Sequence, residues 1–360
     1  MNSAKLIRIV LLLSLVLSLI ATIPCEWPSP FTTHPAFAQD KPQDPQRRPR
    51  SQQTSPEQQE DQEVIKGQSS ISVSVDLVSL QVLVTDNKGN VLTGLKPENF
   101  TIYEDNVKQE ISNFSPVESA ITAVLLVEFS RNVEYFITDV WNGMYTFANS
   151  LRKEDWVAVI GYDMRPTILC DFTQDRRELE QALRRFTIPV SDDSNLSDAL
   201  IDALDRTDET EGKVAIILLS TGLDTFSRHT YDEALNKCKE SNASVYAISL
   251  GQYFRLRMEA AGYAPSIDLL MADNRLKSFA EFTGGAAYFP RFQSELPSIF
   301  SNISLMLRSQ YSVAYASTNT KKDGKFRKIR VDVNTPLTDA KGKPLKLKVI
   351  HRKGYIAKED

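Results

Sequence analysis

Ala123-Val124-Leu125-Leu126-Val127 runs straight into Glu128-Phe129-Ser130-Arg131-Asn132, and Val214-Ala215-Ile216-Ile217-Leu218-Leu219 runs into Ser220-Thr221-Gly222-Leu223-Asp224. Each begins as an unbroken apolar stretch of strand length and stops abruptly at polar residues. A strand with one wet face alternates in polarity; an unbroken run is what a parallel strand covered on both faces needs. Helical spacing over residues 133–151, 175–186, 196–204, 231–240, 274–283 and 296–308 alternates with strand-like runs at 156–162, 167–170, 244–249 and 286–289. That alternation predicts an α/β fold, a doubly wound and mainly parallel sheet.

Outside this region the period becomes two. Ile71, Val73 and Val75 alternate with Ser72 and Ser74, and Leu80, Val82 and Val84 form a second such set before the Asn87-Lys88-Gly89-Asn90 turn. Short strands are expected at 99–103 and 111–114, and again far along the chain at 311–316, 326–333 and 345–350. Neither end has enough residues to close a good core alone. The two ends are therefore expected to pair into a small β-sandwich, with residues 67–118 and 310–360 flanking an α/β domain at 119–309.

The first residues read as an address. Lys5 and Arg8 precede an apolar run over 9–23, and Ala36-Phe37-Ala38 supplies a small-x-small cleavage site, the order of a secretory signal peptide over 1–38. Export to the periplasm, cell envelope or extracellular space follows, and no second run long enough to span a bilayer appears. Residues 39–66 read as a disordered linker; from Asp40 to Glu63 there is no aliphatic or aromatic residue, so nothing there offsets chain entropy by burial.

The whole chain of 360 residues is 42% hydrophobic with a formal charge of −4, which provides no footprint for nucleic acid. Three Cys and three His exclude a disulfide framework, a zinc ribbon and a haem motif. Cys170 and Cys238, which remain after signal removal, either pair or are buried thiols. There is no Gly-x-Ser-x-Gly elbow, phosphate loop or His-Glu-x-x-His motif, and neither His229 nor His351 lies near a nucleophile motif. Basic residues Lys321, Lys322, Arg327, Lys328, Arg330, Lys346 and Lys348 are read as a solvated strand face, with an anionic partner as the alternative. The segment 252–270 interrupts the strand–helix rhythm; its Tyr253, Phe254 and Tyr263 either pack on their own domain or anchor a partner.

In an open α/β sheet, ligands gather beyond the carboxyl ends of the strands. The segments leaving those ends are 128–132 and 220–224, with Ser194-Asn195-Leu196-Ser197-Asp198-Ala199-Leu200 entering a helix between them. These residues and their order resemble the von Willebrand factor A (VWA) domain, and the flanks LVSLQVLVTDNKGNVLTGLKPENFTIYED and LRSQYSVAYASTNTKKDGKFRKIRV resemble the bacterial, acidobacterial-type VWFA-related family. The resemblance implies a metal-ion-dependent adhesion site holding Mg²⁺ or Mn²⁺, with a coordination position left for an acidic group of a partner. Its usual Asp-x-Ser-x-Ser, Thr and Asp elements fall here on Glu128, Ser130 and Asn132, on Asp198 with Ser197 one register away, and on Thr221, so that only Ser130 keeps its usual type. Two carboxylates, two hydroxyls and an amide oxygen would make a rearranged shell of hard oxygen ligands. Without metal, the same residues are helix caps and local ion pairs.

The function expected from this reading is non-enzymatic: protein binding or adhesion at an exported VWA domain whose metal site is degenerate or rearranged. Glu128, Arg131 and Asp224 are expected to meet a protein or cell-envelope partner. A structural scaffold with an inert site is the alternative, and a hydrolase a remote one.

Overall fold

The computed structural model describes residues 77–115, 120–185, 191–208, 210, 212–264, 266–338 and 342–357. The expected signal peptide, the linker and the alternation at Ile71, Val73 and Val75 lie outside the described residues. All of the described residues belong to one structural unit. Four strands come first: β1 (Leu77–Asp86), β2 (Phe100–Glu104), β3 (Val107–Gln109) and β4 (Ile111–Ser115).

The apolar run that ends in Glu128 is β5 (Ile121–Glu128). It is followed by α1 (Ile137–Ser150), β6 (Trp156–Tyr162), β7 (Pro166–Thr173), α2 (Arg176–Arg184), α3 (Leu196–Asp205) and β8 (Lys213–Ser220). Next come α4 (Tyr231–Glu240), β9 (Ser244–Ser249), α5 (Gly251–Ala260), α6 (Ile267–Thr283), β10 (Ala287–Tyr288) and α7 (Leu296–Arg308). The six strands lie in the order β10-β9-β8-β5-β6-β7, all parallel except β7. Period-two side chains divide β5 between two cores. Ala123, Leu125 and Val127 face α1 and α7; Val124 and Leu126 face α3, α4 and α6. Burial on both faces is why the strand reads as unbroken.

The remaining strands are β11 (Tyr311–Ala316), β12 (Phe326–Val333), β13 (Leu347–Ile350) and β14 (Gly354–Ile356). They join the first four in two antiparallel sheets, β13-β1-β11-β4 and β14-β12-β2-β3. Leu80 pairs with Val313 and Ile102 with Val331, so the amino- and carboxyl-terminal strands form one sandwich around the insertion. The fold is thus the expected one, a doubly wound sheet flanked by a small sandwich. Arg327 departs from the expected solvated face. It is 2% exposed and ion-paired with Glu104, whose carboxylate also accepts from Tyr315, Ser317 and Tyr355. Along β12 the alternation turns Arg327 inward with Ile329 and Val331 and leaves Lys328 and Arg330 outside.

Two junctions hold the sandwich to the sheet domain. At the first, Asp155 accepts from Ile121 N at 2.9 Å and from Arg308 Nη1 at 3.1 Å, joining the entry to β5 with the exit from α7. At the second, buried Arg352 donates to Lys239 O and Asn242 Oδ1 on the α4 side, and Lys353 N donates to Phe282 O. Burial pulls the Arg352 guanidinium down to about 10. Close approach there depends on Gly284, whose φ is +80° and where a Cβ would stand 2.4 Å from Arg352 N. The same glycine ends α6 in the left-handed conformation.

The 252–270 segment is α5 plus the start of α6, which begins at Ile267 rather than Asn274 because Ser266 caps it. Tyr253 and Phe254 pack edge-on against Phe136, while Tyr263 is 64% exposed. Cys170 and Cys238 are free thiols, both pushed up by burial. No helix among the described residues is long and apolar enough to cross a membrane.

Candidate functional site

The chain leaves β5 for β6 on one side and, after α3, returns to build β8, β9 and β10 on the other. The switch point therefore lies between β5 and β8, which run in register with Val127 beside Leu219. Glu128 ends the first strand and Ser220 the second, so their side chains meet at the carboxyl edge.

Glu128 is 1% exposed and its carboxylate is ringed by donors. Ser130 Oγ donates to Oε1 at 2.6 Å, Ser220 Oγ to Oε2 at 2.9 Å and Thr221 N to Oε2 at 2.7 Å. Thr221 Oγ1 lies 3.0 and 2.9 Å from the two oxygens. The direction of the Ser220 proton is fixed by its neighbours. Ser220 Oγ already accepts from Tyr162 Oη at 2.9 Å and from Gly222 N at 2.8 Å, so its own hydrogen points at Glu128. Burial pushes the Glu128 carboxyl above its usual range; the bonds from Ser130, Thr221 and Ser220 pull it partly back. Tyr162 is held far above the usual phenol range by burial and by the negative charge of Glu128.

The loop entering α3 is the hub of the surrounding rim. Arg131 N donates to Ser191 O, Asn195 N to Asp163 O, and Thr225 N and Phe226 N to Ser194 O. Asp224 turns inward, its Oδ2 accepting from Ser197 Oγ at 2.5 Å and Ser197 N at 3.1 Å. Ser194 Oγ, Asn195 Oδ1 and Asp224 Oδ1 are buried without a hydrogen-bond partner among the described residues.

Of the residues expected to form a metal shell, Glu128, Ser130 and Thr221 come together. Asn132 does not join them; its Nδ2 donates to Asp192 O on the rim. Asp198 faces away, where its carboxylate accepts from Arg228 N, His229 N and the His229 ring. Burial would raise the Asp198 carboxyl, but these donors outweigh it and hold it below its usual value. The geometry of α3 explains the turn. Leu196, Ala199, Leu200, Ala203 and Leu204 face the core, and the third helical position points sideways to the approach to α4. Arg131 stands on the exposed rim, 3.6 Å from Asp192. Sequence reading assigns no role to Tyr162, Ser194 or Ser220, and names Ser197 only as the neighbour one register from Asp198; the signal for Ser220 is its place as the final residue of an apolar run.

A hard divalent ion needs lone pairs converging on one point. Here the hydroxyls of Ser130, Ser220 and Thr221 direct hydrogens at Glu128, whose own lone pairs are taken up by them. Two of the five expected ligands lie elsewhere. Among the described residues no three His, Cys, Asp or Glu side chains are grouped to hold a metal. These side chains as arranged do not fit such an ion.

Residues 82–224 match the family described as von Willebrand factor type A domain. The match begins within β1 and ends at Asp224, inside the loop that follows β8. No curated protein matches. Among solved structures, the vWF domain of the type V pili tip protein from Porphyromonas gingivalis is 14% identical, covers 53% of this chain and 95% of its own, and has a TM-score of 0.42. The von Willebrand factor type A protein from Catenulispora acidiphila is 12% identical over 78% of this chain and 74% of its own, with a TM-score of 0.41. Proximal thread matrix protein 1 from the mussel byssus, with a zinc-occupied MIDAS motif, is 12% identical over 56% and 48%, with a TM-score of 0.43.

Proposed function

We propose that the chain, whose residues 82–224 match the von Willebrand factor type A domain, serves as an exported, non-enzymatic adhesion or assembly module that binds a protein or cell-envelope partner through the rim above β5 and β8. The observation that carries this reading is the hydrogen-bonded stitching of loops 129–132, 191–195 and 222–228 into one preformed surface. A surface fixed before binding loses little entropy when a partner docks. Its outward side chains include Arg131 and Phe226, the latter 51% exposed, both types that anchor interfaces. Arg131 is the direct contact on this reading, while Asp224 and the buried Glu128 hold the rim from beneath. Export rests on the signal-peptide pattern read in the sequence over 1–38.

The test compares the native chain with Arg131→Glu/Phe226→Ser in binding to isolated cell envelopes, with circular dichroism as the check on folding. A fall of tenfold or more in capture supports the rim as the contact; unchanged capture removes it. One observation favours a second reading, assembly through the α5–α6 corner. Met258, Tyr263, Ile267, Leu270 and Met271 are all exposed there, and Ile267 is 71% exposed. On that reading Ile267→Asp/Met271→Asp abolishes capture and the rim variant is silent.

A further inference from the structure

The resemblance to VWA domains implies a divalent ion at the carboxyl edge of β5 and β8, and the side chains there do not fit one. What they fit instead is a carboxylate. Glu is one methylene longer than the Asp usual at this position, and the extra length carries its oxygens across the gap between the two strands. There they receive Thr221 N from the neighbouring strand end as well as the Ser130 hydroxyl from their own loop.

Polarity decides between the two arrangements. A hydroxyl that ligates a cation presents a lone pair to the centre; one that bonds a carboxylate presents its hydrogen. The centre here is an acceptor, because Ser220 has spent its acceptor capacity on Tyr162 and Gly222 and has only its hydrogen left for Glu128. Thr221 is similar: its Oγ1 accepts from Leu223 N at 3.3 Å and gives its hydrogen to the carboxylate. We propose that the Glu128 carboxylate stands in for the metal ion, drawing the ends of β5 and β8 together through Ser130, Ser220 and Thr221, so that the rim is assembled without a divalent cation. This concerns how the rim is held and stands whether or not the rim meets a partner.

The experiment is thermal unfolding of the full chain in EDTA, in millimolar Mg²⁺ and in millimolar Mn²⁺, for the native protein and for Ser130→Ala, Thr221→Val and Asp224→Asn. An ion bound only to the folded state must raise Tm. The expected result is one Tm for the native chain in all three solutions. Ser130→Ala and Thr221→Val are expected to lower it by about 2–4 °C each, equally with and without metal. Three results overturn the proposal. One is a native Tm that rises with metal and loses the rise in Ser130→Ala. Another is a metal-dependent rise lost only in Asp224→Asn, which would put a cation on the side of Ser194, Asn195 and Asp224. The third is a Ser130→Ala and a Thr221→Val chain that both keep the native Tm in EDTA, since the hydroxyls would then hold nothing together.

Discussion

Thr221 N–H donates to Glu128 Oε2 across 2.7 Å, joining the residue after β8 to the last residue of β5. A backbone donor cannot rotate away as a hydroxyl can. Glu128→Ala leaves that N–H and the hydroxyls of Ser130, Ser220 and Thr221 without their acceptor, at about 1–3 kcal/mol for a buried donor left unpaired. The expected loss of stability is about 3 kcal/mol in urea denaturation. Glu128→Gln keeps one acceptor oxygen and the side-chain volume, so its loss should be clearly smaller. Equal losses would mean that the carboxylate serves only as filler.

Asp155 joins the two covalent connections between sandwich and sheet domain, and its carboxylate also caps Arg152 N. Burial alone would raise it, but Arg308, Arg152 N and Ile121 N together hold it below its usual value. Asp155→Ala strands Arg308, whose side chain is largely buried, and a buried pair broken on one side costs about 3–5 kcal/mol. A calorimetric scan should show a lower Tm for the whole unit, with Arg308→Met falling less because the Asp155 carboxylate keeps the N–H donors of Ile121 and Arg152.

His351 provides a pH dependence. Its Nε2 accepts from Val331 N at 3.3 Å, so the proton sits on Nδ1, which donates to Arg352 O at 2.7 Å. Burial lowers its pKa below 6.5, with the Arg352 carbonyl and the Asp332 charge opposing. The folded state therefore takes up a proton less readily than the unfolded one. Its stabilising contribution is fully present above pH 6.5 and drains away as pH falls through the lower folded value. Urea denaturation between about pH 7.5 and pH 5 should show a loss that His351→Gln reduces; an unchanged slope would assign the pH effect to other groups.

Gly284→Ala forces a Cβ into a left-handed turn and against the Arg352 backbone at once. Left-handed backbone costs an Ala about 1–2 kcal/mol before any clash is counted. A loss of at least about 2 kcal/mol is expected in equilibrium denaturation, with hydrogen exchange quickening around residues 351–353. Gly342→Ala is the control, since it has a similar φ of +74° and open space around the added carbon.

Much of this fold was legible because burial leaves a period. Val124 and Leu126 face one helical layer and Leu125 and Val127 the other, which sequence shows as an unbroken run, whereas β12 alternates and was readable as half-wet. What the period does not carry is a pairing across the chain. Arg327 looked like one more member of a basic stretch, and only Glu104, far earlier in sequence, makes it a core residue. The site divided along the same line. Glu128, Ser130 and Thr221 sit on strand ends whose direction is set by pleating, so they could be placed together. Asp198 was placed by motif order, and one helical position further along α3 was enough to turn it toward His229. Ser194, two residues before that helix, lies in a loop whose conformation no local pattern announces.

The sandwich's β1 and β11 are partners that begin at Leu77 and Ala316. Were the intervening chain a loose coil, closing so large a loop would cost about 5 kcal/mol of entropy. Folded, the α/β domain brings Ile121 and Arg308 to the same carboxylate, Asp155. It thereby does for these two strands what a two-residue turn does for a hairpin. A folded insertion thus spares the sandwich most of the entropy of closing over that distance.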